Sequence, residues 1–295
     1  MKRVVVAALL SGALLGCPAT TPPDDAGMDA RTEDVGVDTA EAAVDAGSDT
    51  ATDASPCGAL FGVPNANTGL TEAQCRPACG CGAEAWSSPA FDSARLALLR
   101  RYTLDAPYPA LTSDPYLEPP PIVPTGSVCA AVVSDTERYH YTLASYASAT
   151  EAHAAGAFIT HHGTCGVCST LEDFAVYAEQ PDLTAPVREC GLRNLTHEPL
   201  VACLEGLGFT TPCAQVWAYN TEHTRNVCGA ICLRLLRAPY HLPDGTLNAC
   251  LQCDEDMSGA VFKAVAGRTR RNSGVASAMC RPCSESLPVA HDYPE

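Results

Sequence analysis

The sequence predicts an α+β fold, mainly α: a disulfide-rich single globular domain with a small strand region. Three observations predict it. Cysteines fall on apolar stripes with helical spacing, and one short stretch alternates like a strand. Residues 57–295 also hold 17 − 1 = 16 cysteines, an even number, behind an export signal. Composition narrows the class further. Acids exceed bases by 34 − 18 = 16, so no basic excess exists to displace phosphate counterions and no nucleic-acid partner is expected. Charged residues make up only 18% of the chain, unlike the charge-rich heptads of a coiled coil. No apolar run reaches the roughly 18 residues that a membrane-spanning helix needs.

The first element is an address. Lys2 and Arg3 precede an apolar segment from Val4 to Leu15, which is too short to span a bilayer and suits a secretory signal. It ends in Leu14-Leu15-Gly16-Cys17, which resembles the lipobox of bacterial lipoproteins. The resemblance implies cleavage after residue 16, lipidation of Cys17 and insertion of its acyl chains into a bilayer, which more than one chain makes stable. The expected location is the bacterial cell envelope, lipid-anchored at the outer membrane or cell surface. Residues 17–56 form the second element. From residue 18 onward they carry ten acids, one base and no aromatic residue, too little apolar surface to offset the entropy of ordering. The expectation is a self-repelling, extended tether.

Within residues 57–295 the elements follow from period and capping. Ser87 to Arg101 has a helical pattern. Asp105 to Gly126 carries seven prolines and reads as an irregular connection. Alternation over Tyr139, Tyr141, Leu143 and Ser145 predicts a strand, and Ala157 to Thr160 a second one. Ser148 with Glu151, and Ser169 with Glu172, have capping-box spacing. Helical stripes follow at Leu171/Phe174/Ala175/Ala178, Leu200/Cys203/Leu204/Leu207 and Cys228/Ile231/Cys232/Leu235. A last stripe runs from Leu247 to Val265.

Two constellations could carry chemistry. In the first, His161-His162-Gly-Thr-Cys165-Gly-Val-Cys168 leads from a strand into a capped helix. A thiolate at Cys168 would gain from the helix N-terminus, which makes Cys165 and Cys168 catalytic candidates for thiol–disulfide exchange. The same four residues are candidate ligands for copper or zinc. The competing expectation is two structural disulfides beside turn histidines.

In the second, Asp254 and Ser258 interrupt the apolar stripe of the last helix, and Arg268, Arg270 and Arg271 follow at once. These five residues are the candidate site for an anionic small molecule or peptide, the function expected of the domain. The alternative is an internal Arg–Asp clasp. His153, His197, His223, His241 and His291 are scattered without metal-ligand spacing and read as surface or core residues.

Several segments recur together: Cys165-Gly-Val-Cys168-Ser169 with Asp173 and Tyr177; Gly208-Phe-Thr-Thr-Pro-Cys213 with Trp217; Cys250-Leu-Gln-Cys253-Asp254-Glu255 with Ser258-Gly259; and Gly267-Arg-Thr-Arg-Arg-Asn-Ser-Gly274. In these pieces the chain resembles a family of uncharacterised cysteine-rich exported proteins of microbial eukaryotes and bacteria. The resemblance implies that residues 165–283 form one module, and it carries over no catalytic residue.

Overall fold

The computed structural model describes residues 58–80, 85–134 and 136–295, all within the unit Ala51–Glu295; the expected signal segment, the expected lipidation site Cys17, the expected tether, Cys57 and Cys81 lie outside the described residues. The first described elements are two small ladders. Strand β1 (Leu60–Phe61) pairs parallel with β2 (Cys75–Arg76), and β3 (Ala78–Cys79) antiparallel with β4 (Trp86–Ser87). Helix α1 (Ser93–Arg101) starts at Asp92, whose carboxylate accepts the Arg95 N–H. It begins six residues later than its periodicity suggests, because Trp86 and Ser87 are drawn into the ladder with β3.

A four-stranded sheet follows, in the order β5-β7-β6-β8. Its members are β5 (Thr103–Leu104), β6 (Val128–Val133), β7 (His140–Tyr146) and β8 (Phe158–His162), with α2 (Ala149–Ala154) between the last two. Strands β7 and β8 match the expected ones to within two residues. The sequence reading missed β6, which pairs antiparallel with both neighbours. Residues Val128 to Ala131 are buried without alternation, so a strand covered on both faces has no period of two to detect.

The rest is helical: α3 (Leu171–Glu179), α4 (Thr184–Arg193), α5 (His197–Glu205), α6 (Thr211–Arg234), α7 (Ala249–Ala266) and α8 (Arg270–Ser273). The expected stripes of α3 and α5 supply much of the core, where Leu171, Phe174, Leu200 and Leu204 are fully buried; in α6 the buried face is instead Cys213, Ala214, Val216 and Ala218, while Ile231 and Leu235 are half-buried. Each fully buried leucine or phenylalanine contributes about 1.5–3 kcal/mol from leaving water. The cap of α3 is Thr170 rather than Ser169: the Thr170 hydroxyl accepts the Asp173 N–H, while Ser169 is withdrawn into another network.

Seven disulfides join fourteen cysteines among the described residues. None of the three C-x-x-C pairs closes on itself. Cys165 bonds Cys129 in the sheet, and Cys168 bonds Cys213 at the start of α6. Cys250 and Cys253 bond Cys232 and Cys228, stitching α7 to α6. Cys280 and Cys283 bond Cys75 and Cys79 across separations of 205 and 204 residues. Such long loops are the ones whose closure most restricts the unfolded chain. Among the described residues no helix is long and apolar enough to cross a membrane.

Candidate functional site

The His161–Cys168 segment is a structural joint. Both cysteines are spent in disulfides with other elements, so neither is available as a thiolate nucleophile or metal ligand. His161 is fully buried on β8. Its Nδ1 lies 3.0 Å from the His162 carbonyl, which can only accept, so Nδ1 carries the proton and Nε2 accepts from the Ser169 hydroxyl at 2.7 Å. Burial, with Arg268 nearby, holds the His161 pKa well below the usual imidazole range. His162 points elsewhere, with Nε2 3.3 Å from the Pro288 carbonyl. The copper or zinc site expected of His161, His162, Cys165 and Cys168 is therefore not assembled. No group of three or more His, Cys, Asp or Glu placed to hold a metal ion occurs among the described residues.

The motif's glycine has a packing reason. A Cβ at Gly166 would fall 2.3 Å from the Val265 carbonyl oxygen, because the turn presses against the end of α7. There the Val167 and Cys168 N–H groups donate to the carbonyls of Val265 and Ala266. Gly267 faces Gly166 with a φ of +73°, which glycine adopts without strain.

Of the arginines expected to bind an anion, Arg268 and Arg270 are tied to backbone carbonyls, and Arg271, whose side chain is 30% exposed, is tied to carboxylates. Arg268 has 0% exposure. Its guanidinium donates to the carbonyls of Thr160, Cys168 and Ser169 and to the Ser273 hydroxyl, and lies 4.5 Å over the Phe174 ring. Arg270 donates to the carbonyls of Tyr177 and Gln180, filling acceptors left open at the end of α3, and to that of Ala276 beyond α8. Arg271 bridges Glu255 and Glu285, and Arg281 also pairs with Glu255. Burial pushes the Glu255 carboxyl up, but Arg281 and Arg271 more than offset it and hold it below the usual range. The expected Arg–Asp surface is thus corrected. A clasp exists, but its acid is Glu255 and its bases are Arg271 and Arg281, while Arg268 is turned inward among the carbonyls of β8 and of the turn before α3.

Asp254 and Ser258 belong to a different cluster, between α6 and α7. Asp254 accepts from the Thr224 hydroxyl and, at 3.3 Å, from the Asn220 amide. The Ser258 hydroxyl is 3.0 Å from that of Thr224 and 3.0 Å from His223 Nδ1. Tyr116, in the 3-10 turn Pro115–Leu117, stacks on the His223 ring at 4.3 Å and donates its hydroxyl to Asn220 Oδ1 at 2.6 Å. Burial pushes the Asp254 carboxyl above the usual range, and the bonds from Thr224 and Asn220 restrain the shift.

This cluster ends at a cleft of about 330 Å³. Asp114, Tyr116, Glu222, His223 and Asn226 line it, together with Leu117 and Leu195. The two leucines are 80% and 73% exposed. Arg225 also borders the cleft, but its guanidinium donates to the carbonyls of Gly191, Asn194 and Leu195, closing the end of α4. Glu222 pairs with His197 at 3.1 Å, and Asp114 accepts the Tyr116 N–H at 2.9 Å. In the sequence, His223 is one of several scattered histidines and Tyr116 lies in a proline-rich connection, so neither carries a signal of its own. The one available signal was the polar pair Asp254/Ser258, which marked where α7 needs partners.

No curated protein and no solved structure matches the chain. Residues 197–289, which run from α5 through α8 and supply His223, Asp254 and Ser258, are similar to a family of unknown function (DUF8771), whose model they match.

Proposed function

We propose that the chain is a lipid-anchored binding protein of the bacterial cell envelope, whose disulfide-locked domain takes its ligand in the cleft at Tyr116 and His223. The observation that carries the reading is the cleft itself. Its polar side chains, backed by a half-buried hydrogen-bond network, share the lining with two exposed leucines. Ligand sites combine these features: apolar contact for affinity and a few placed polar groups for orientation. The disulfides between α6 and α7 support it, since a wall cross-linked at Cys228–Cys253 and Cys232–Cys250 loses little freedom on binding. The lipobox at Cys17 and the acidic tether support an anchored, exported location.

The test is a screen of small cationic, neutral and anionic probes against the full chain, followed by NMR. Binding that shifts the His223 and Tyr116 resonances, and is lost in His223→Ala, supports the reading. A cleft silent to every probe overturns it. The anchor is read separately, by incorporation of labelled fatty acid that disappears in Cys17→Ser.

A further inference from the structure

We infer that the cleft is selective for an ammonium group carried on an aliphatic chain, with His223 Nε2 as an acceptor whose tautomer is set by Asp254. The inference rests on the binding reading above and goes beyond it by naming the ligand chemistry.

The hydrogen-bond network runs in one direction. With Asp254 ionised, the carboxylate can only accept, so Thr224 donates to it. The Thr224 oxygen is then free to accept from the Ser258 hydroxyl at 3.0 Å. Ser258, having given its proton to Thr224, accepts from His223 Nδ1–H at 3.0 Å. A neutral imidazole protonated at Nδ1 leaves a lone pair on Nε2. His223 lines the cleft, and Nε2 has no hydrogen-bond partner among the described residues. The Tyr116 ring, stacked on the imidazole and anchored through Asn220, holds its plane.

The other ionic groups agree with that polarity. Asp114 and Glu222 contribute carboxylates to the same cleft. The cation beside them, Arg225, has donors committed to the three carbonyls at the end of α4. Asn226 also lines the cleft, and its amide offers a donor group and an acceptor together, so the balance is set by the two carboxylates and His223 Nε2, which favour a ligand that brings N–H donors and positive charge. Leu117 and Leu195 supply the apolar contact for the carbon chain that bears them. A lysine side chain between apolar residues and a free alkyldiamine share this chemistry.

The experiment uses the purified full chain and four probes: acetyl-Leu-Lys-Leu-amide, its norleucine analogue, 1,5-diaminopentane, and acetate. Calorimetry gives affinity, and the ¹⁵N shifts of His223 give its tautomer. The expected result is binding of the lysine peptide or the diamine, with the norleucine peptide and acetate at least about tenfold weaker. A preference for peptide over diamine identifies the side chain of a protein partner, and the reverse identifies a free amine. Glu222→Gln and Asp114→Asn each weaken binding by about tenfold. The second of these keeps a side-chain carbonyl that accepts the Tyr116 N–H, so the turn is preserved while the charge is lost. Asp254→Asn serves as the test of the positioning residue: it shifts the His223 ¹⁵N pattern and weakens the ammonium probe, and Asp254→Glu restores part of both. Equal binding of the lysine and norleucine peptides, or binding of acetate in the cleft, overturns the ammonium assignment and leaves the binding reading intact. A His223 that carries its proton on Nε2 in the free protein overturns the acceptor assignment. Silence toward all four probes and toward the wider screen overturns both.

Discussion

Two polar networks in this molecule are built from the same kinds of side chain and differ in how they end. Around Arg268, the guanidinium meets three carbonyls, a hydroxyl and an aromatic face, and the network closes inside the protein. His291 extends it. The ring stacks on Phe174 at 4.1 Å, donates from Nε2 to the Ser273 carbonyl at 2.8 Å, and accepts from the Tyr293 hydroxyl at 3.0 Å. Around Asp254, the chain of hydroxyls runs outward instead and stops at an imidazole nitrogen with no protein partner among the described residues. A closed network serves as a joint, because its guanidinium is enclosed by the fold and bonded to protein acceptors through all three nitrogens. An open one can offer its last group to something else. Charge alone does not separate the two cases: the arginine-rich segment looks more like a binding surface in sequence, yet its donors are consumed by the fold.

Replacing Arg268 by Met tests the closed network and has the largest expected effect. It strips donors from the carbonyls of Thr160, Cys168 and Ser169, all inside the protein, and should cost about 3–5 kcal/mol in a urea titration. A loss below about 1 kcal/mol would mean that water or neighbouring groups satisfy those carbonyls, and the joint would not be closed after all.

The pH dependence comes next. Burial, with Arg268 nearby, pushes the His291 pKa down to about 3. The folded state thus binds this proton more weakly than the unfolded chain, whose imidazole titrates near 6.5. The stability it contributes is complete above about pH 6.5 and is lost as pH falls toward 3, at up to about 1.4 kcal/mol per pH unit. Asp173 runs the other way. Burial raises its pKa to about 6, against bonds from Thr170 and Thr210, so its stability contribution grows as pH falls from 6 toward 3.8. His291→Gln should therefore flatten the acid loss of stability, and Asp173→Asn should steepen it. Parallel pH profiles for His291→Gln and the parent would remove His291 from the closed network.

The smallest effect belongs to the open network. Ser258→Ala removes one link between Thr224 and His223 and should cost about 1 kcal/mol in stability. It should nevertheless change the His223 tautomer ratio measured by ¹⁵N NMR, because Nδ1 loses its partner. A cost comparable to that of Arg268→Met, with the tautomer unchanged, would erase the distinction between the two networks.

Much of the fold was legible because it is local. The stripes at Leu171/Phe174 and Leu200/Leu204 depend on a period within one helix, and the cap at Ser148 depends on a residue three positions away. The misplaced cap at Ser169 shows the limit of that reasoning. Ser169 and Thr170 are equally able to cap, and Ser169 was claimed by His161, eight residues earlier, and by the Gly166 N–H. The candidate site was less legible still. Tyr116 meets Asn220 across 104 residues and Ser258 across 142, contacts that no spacing rule anticipates.

By itself the sequence determined the class of the molecule: the even set of cysteines in residues 57–295, the apolar helical faces and the excess of acid. These are properties of composition and of intervals shorter than a few turns, where steric and capping rules act directly. Only the tertiary structure decided which cysteine met which, why β6 lies between its two neighbours, and that Arg268 faces inward while His223 faces a cleft. Those outcomes depend on which distant segments share space when the core closes. A guanidinium is a surface group or a buried clamp according to the carbonyls that the rest of the chain brings to it.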